Sequence, residues 1–154
     1  MMLTYRLVRL IEDNSEVLSG SLLERVRNSP MLAEYRNVPD ADLKDRVQGI
    51  YSHLGEWLLT RKERDIAQRY TEIGARRAGQ GVPLSQLAAT IVLTKENLWE
   101  FLKHKSMAEG LPGVWGELEM LQLLDQFFDR AIYYAAVGYE NQAARVVADL
   151  PRAV

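Results

Sequence analysis

The chain has 154 residues, of which 47% are hydrophobic and 26% charged, and a formal net charge of −2. That is one domain's worth of sequence with enough apolar side chains to bury a core, and the charge balance gives no general attraction to nucleic acid or to an anionic membrane surface. Cysteine is absent and the histidines are His53 and His104, which excludes disulfides, thiol nucleophiles and Cys-ligated metals and makes an imidazole-rich metal site an unexpected feature.

The opening stretch MMLTYRLVRLIEDN meets charge after a very short apolar run and does not read as a secretion signal. No stretch approaches the roughly 20 apolar residues of a membrane span, so a cytoplasmic protein is expected. Leu3, Leu7, Leu10 and Ile11 make a first helical stripe. Asp13 and Glu16 have the spacing of a capping box, which predicts a break and a second helix carrying Val17, Leu18, Leu22 and Val26. Pro30 stops that helix. The segment from Met31 to Asn37 is ambiguous.

Val38-Pro39-Asp40 is a start signal with Asp40 as cap. Leu43, Val47, Ile50, Leu54, Trp57 and Leu58 then keep helical spacing. The run Arg61 to Asp65 carries both signs of charge and reads as a solvated helix start or connection. Ile66, Tyr70, Ile73 and Gly74 share the next face, up to the turn Gly79-Gln80-Gly81-Val82-Pro83. A further helix is expected from Pro83 to about His104, with Leu84, Leu87, Ala88, Ile91, Leu98, Trp99 and Leu102 inward. Gln86, Asn97, Glu100 and His104 fall on its polar face. After the Glu109 to Gly113 break, Gly116 to Ala144 forms a long central helix whose apolar arc covers roughly half the circumference. Its opposite stripe is Glu119, Gln122, Gln126, Asp129, Tyr133 and Glu140, and Gly138 is a candidate kink. No segment alternates with a period of two, and the expectation is an all-α single domain of about six helices.

Few residues could carry chemistry. Lys95 and Arg77 project from apolar faces. They either snorkel to solvent, or form a buried ion pair with Asp125 or Asp129, or bind an anionic ligand. His104 reads as a surface residue and His53 as a half-buried one, neither with a partner at metal spacing. The carboxylate pairs Glu117/Glu119 and Asp125/Asp129 lack a neighbouring nucleophile. Tyr133, Tyr134 and the tryptophans read as packing residues, and no GxSxG, P-loop or GxGxxG motif occurs.

Several stretches together carry a resemblance. They are the break from Ile11 to Asn14, the helix from Arg46 to Trp57 with its IYSHLGEWL, GARRAGQGVPLSQL (Gly74 to Leu87), LTKENLWEF (Leu93 to Phe101) and LDQFFDRAIYYAAVGYE (Leu124 to Glu140). In these the chain resembles the N-terminal sensory domain of RsbR-type stressosome proteins, the RsbRD N-terminal domain. The resemblance implies a globin-like helical bundle without haem, usually dimeric, that serves as input to a signalling output, commonly a STAS domain; no cofactor is expected. The sequence ends soon after the long helix, and the downstream partner is left open. A non-catalytic sensory or regulatory domain is therefore expected, the alternatives being a haem- or small-ligand-binding globin and, more remotely, an enzyme built on Lys95, Asp125 and Asp129. Where a haem would sit, Trp57, Tyr70, Leu98, Phe128 and Ile132 are expected to fill the core. A homodimer is expected through Leu3, Leu7, Leu10 and Ile11 together with the long helix.

Overall fold

The computed structural model describes residues 2–109 and 114–150. Its helices are α1 (Met2–Asp13), α2 (Ser15–Asn28), α3 (Asp40–Thr60), α4 (Glu63–Gly79), α5 (Leu84–Glu109) and α6 (Val114–Asp149), with a 3₁₀ segment, Pro30–Asn37, between α2 and α3. No strand occurs among the described residues. The domain is all-α, in an arrangement consistent with a globin-like bundle.

The helix boundaries follow local chemistry, with some departures from expectation. The break after α1 is not a capping box. Asn14 is the cap residue of α2, makes no side-chain cap, and turns its amide back to donate to the Leu10 carbonyl at 2.8 Å. It thereby closes the end of α1, where carbonyls lack intrahelical donors. Asp40 is likewise inside α3 rather than its cap; Pro39 holds that position and the Asp40 carboxylate accepts from Arg27. The ambiguous stretch becomes 3₁₀ because it buries Leu32 and Tyr35 while Arg27 donates to the carbonyls of Tyr35, Arg36 and Val38. At the other turns, Arg61 takes a left-handed conformation (φ 57°) and Gly81 does the same at φ 74°. Arg61 is stabilised in this conformation, unusual for a side-chain-bearing residue, by its guanidinium, which donates to the Leu58 carbonyl and lies 5.4 Å from the Trp57 ring.

The long helix α6 packs on α4, α5, α1 and α3, which explains its wide apolar arc. Leu124, Phe127, Phe128, Ala131 and Ala135 are buried, and every residue of the polar stripe from Glu119 to Glu140 is exposed. Gly138 is no kink, because α6 runs through it unbroken. It serves the crossing with α4. A Cβ on Gly138 would lie 1.9 Å from the Thr71 carbonyl oxygen, and one on Gly74 would lie 1.9 Å from that of Ala135. The two backbones therefore meet with no side chain between them, close enough for Cα–H···O contacts. Just beyond the crossing, the Tyr139 hydroxyl donates to the Val82 carbonyl at 2.6 Å and fastens α6 to the α4–α5 turn.

The first helix stripe is used within the chain. Leu7 and Ile11 are buried at 2% and 3% exposure and Leu10 is half-buried. They close the core of one copy, so the surplus apolar surface that motivated an interface of Leu7, Leu10 and Ile11 is not there. The Leu3 side chain lies outside the described residues.

Candidate functional site

The aromatic centre of the bundle is built by α3, α4 and α6. Trp57 and Tyr70 each pack against Phe127, the first tilted and the second edge-on, with ring centroids 5.9 Å apart in both cases, and Phe127 meets Phe128 edge-on at 5.2 Å. Trp57, Tyr70, Leu98 and Phe128 are buried and Ile132 half-buried. The spacing of the sequence singled out Phe128, yet Phe127 is the ring between Trp57 and Tyr70.

Two cavities flank this cluster and share His53 and Tyr70 as lining. The first, of about 270 Å³, lies over Trp57 and Phe127, with Glu56, Asp65 and Arg69 at its rim. The second, of about 320 Å³, lies between α3, α4 and the start of α5. His53 is half-buried between them, its Nδ1 3.3 Å from the Tyr70 hydroxyl and its ring edge-on to that of Tyr70. Burial pushes the imidazole pKa down to about 4; Arg69 pushes the same way and Glu56 opposes. The ring is therefore neutral near neutral pH, and with its proton on Nε2 it accepts from the Tyr70 hydroxyl. Burial also raises the Tyr70 phenol far above its usual range, with Arg69 pulling back. The pair forms a fixed polar spine rather than an acid–base couple poised near pH 7. His104 is exposed.

The charged residues fall apart into two places. Lys95 Nζ and Asp125 Oδ1 are 3.6 Å apart, with side chains 30% and 47% exposed, so the expected buried ion pair is a partly solvated one. The Asp125 Oδ1 atom itself is shielded and lacks a hydrogen bond, but the distance makes the contact weak. Asp129 is exposed and makes no ion pair among the described residues. Arg77 is far better buried, at 8% exposure, and neither aspartate is its partner. It donates to Gln80 Oε1 at 3.0 Å and lines the second cavity together with Arg46 and Arg76. Burial lowers the guanidinium pKa, with Arg46 adding, Tyr35 opposing and Arg76 adding.

The sequence reading missed one buried polar node. Asn97 was placed on a polar face, yet it is 3% exposed. Its Nδ2 donates to the Leu18 carbonyl at 3.1 Å and the Tyr51 hydroxyl at 2.8 Å, and its Oδ1 accepts from Ser21 Oγ at 3.0 Å. Burial pushes the Tyr51 phenol up to about 12, against the Asn97 hydrogen bond and Arg25. A signal was available in its position, since on the wheel Asn97 falls within about 60° of Thr90, Leu93 and Thr94, all of them buried. Tyr133 is not a packing residue, being 61% exposed, whereas Tyr134 donates to Glu63 Oε1 at 2.9 Å.

No grouping of three metal-ligating side chains occurs among the described residues, and no described helix is long and apolar enough to cross a membrane. What the arrangement offers is a neutral polar spine between two cavities and a cluster of cations at the mouth of one of them. Residues 16–154 match the family of the RsbT co-antagonist protein rsbRD N-terminal domain. The chain belongs to that family. The RsbRD N-terminal domain is a regulatory domain associated with the stressosome in stress-response signalling. No curated protein matches the chain, and no solved structure matches it.

Proposed function

We propose that this RsbRD N-terminal domain is a non-catalytic cytoplasmic input module that acts through helix packing and through contacts with other proteins, including a second copy of itself. The observation that carries the reading is the course of α6. The helix is clamped to α4 at the glycine crossing, and its last turns, from Asn141 to Leu150, then run almost wholly exposed. Val146, Val147 and Leu150 are 48%, 68% and 59% exposed there. A change in how α6 sits on α4 is delivered to whatever binds those turns, in the manner of a helix shift at an interface. The membership in a co-antagonist family supports a protein partner rather than a substrate.

The test is association. The chain is coexpressed with STAS-domain proteins and with the RsbT protein for which its family is named, and complexes are weighed by light scattering behind a sizing column. A stable dimer or a mixed complex that is lost on Val147→Glu, with helical circular dichroism intact, is the expected result. A monomer that associates with none of them at tens of micromolar refutes the proposal.

A further inference from the structure

Arg77 is a buried cation without a carboxylate. A guanidinium has five N–H donors, and Gln80 occupies one of them. No ion pair of Arg77 occurs among the described residues, and the surrounding charge makes its position worse, because Arg46 and Arg76 line the same cavity. The acidic group in that lining is Asp45, which is exposed and forms no ion pair among the described residues. A buried charge left without a counter-ion is strongly unfavourable. Three arginines line one cavity, and the most buried of them, Arg77, has no carboxylate partner among the described residues, which gives the makings of an anion site.

The rest of the cavity has the opposite character. Apart from the arginines its lining is mostly aliphatic, Leu43, Val47, Ile50, Ile73, Leu87 and Ile91, with Thr90, His53 and Tyr70 beside them. Gly49 adds room, since a Cβ there would meet no more than the edge of the His53 ring at 3.8 Å. The volume of about 320 Å³ is at the small end of the range of ligand pockets, roughly 300–1,000 Å³. At the mouth, the Tyr35 hydroxyl makes no hydrogen bond among the described residues, although the residue is 2% exposed. That leaves it as a second donor beside the guanidinium.

We propose that the cavity between α3, α4 and α5 binds a small amphiphilic monocarboxylate, with the carboxylate on Arg77 and its apolar body among Val47, Ile50, Ile73 and Ile91. A planar carboxylate accepts two parallel hydrogen bonds from one guanidinium. Arg46 and Arg76 attract the anion toward the mouth, and a small hydrated anion gains less there because it leaves the aliphatic part of the lining uncovered. The inference deepens the reading of the domain as an input module and rests on it for its biological purpose alone. Occupancy is measured on the chain by itself, so a failure to bind is distinguishable from a failure to associate with partners.

Isothermal titration of the purified chain with acetate, hexanoate, octanoate and decanoate, and with octanol as the uncharged control, tests it. The expected result is one site per chain for octanoate or a neighbour in the series, with acetate and octanol each at least tenfold weaker. Arg77→Met and Gly49→Leu are each expected to weaken the carboxylate at least tenfold, the first by removing the counter-charge and the second by filling the space. If Arg77→Met does not fold, Arg46→Met and Gly49→Leu carry the comparison. No binding by any of the carboxylates at millimolar concentration overturns the proposal. So does octanol or acetate binding as tightly as octanoate, and so does undiminished binding in the folded variants.

Discussion

Gly74→Ala, a change of one methyl group, puts the α4–α6 crossing to a quantitative test. The new Cβ would lie 1.9 Å from the Ala135 carbonyl oxygen and 2.9 Å from the Tyr139 amide nitrogen. Both obstacles are backbone, so no rotamer change relieves them and the two helices must part. Overpacking of a well-fitted interior costs about 1–3 kcal/mol, and a clash with a rigid helix belongs at the top of that range. Alanine recovers roughly 1 kcal/mol through its better helix propensity. The expected net loss is about 2 kcal/mol, against a total stability of roughly 5–15 kcal/mol, so the variant still folds. Gly20→Ala supplies the control, because a Cβ on Gly20 meets nothing within 4 Å in the interior of α2. That substitution should stabilise by up to about 1 kcal/mol. Urea unfolding followed by circular dichroism, with the slope required to stay constant, reads both. A Gly74→Ala protein as stable as the parent, alongside a stabilised Gly20→Ala, would show that the helices do not approach as closely as described.

Two further outcomes are expected. His53 has a folded pKa of about 4 against 6.5 for the free side chain, so the unfolded chain takes up the proton first as pH falls; stability contributed by the neutral ring is complete above about pH 6.5 and declines toward pH 4. The ring is partly exposed and solvent screens it, so the loss amounts to about 1–3 kcal/mol rather than the full linkage value; His53→Gln should flatten the unfolding midpoint between those pH values, and parallel curves for the two proteins would refute the assignment. Lys95→Met removes a partly solvated contact at 3.6 Å and should change stability by less than about 1 kcal/mol; a loss of several kcal/mol in urea unfolding would mean that the pair is buried after all.

The sequence made some of this architecture readable and hid the rest for physical reasons. The long helix could be read because its periodicity runs through many turns, and its polar stripe from Glu119 to Glu140 is exposed throughout. The α4–α5 turn could be read because Gly81 must reach φ 74°. The 3₁₀ segment could not: its buried anchors, Leu32 and Tyr35, are too few to show a period, and its carbonyls are held by Arg27 from the preceding helix. Gly138 was visible as a glycine, but whether a helical glycine kinks its own helix or admits another is decided by the neighbour, here Thr71. Arg77 stood out as a charge among apolar residues, with Arg76 beside it in the sequence, while the company of Arg46 comes from the packing of α3 against α4. The stripe of Leu7 and Ile11 was real as a pattern, and only the tertiary structure shows that it faces the chain's own core. Asn97 was hidden because an amide side chain suggests the solvent face, while the buried partners that satisfy it come from α2 and α3.

That asparagine has a bearing on how the domain can vary. Aliphatic side chains are forgiving of small slides between helices, since one methyl group packs much like another. Asn97 is not, because Leu18 on α2 and Tyr51 on α3 must both be at hand for its amide to be satisfied from α5. Among many near-equivalent ways of stacking three oily helices, it selects one alignment, as a dowel does between two planks. Descendants of this sequence are then free to exchange leucine for isoleucine across the interior, but they must alter Asn97, Tyr51 and Ser21 in concert or not at all.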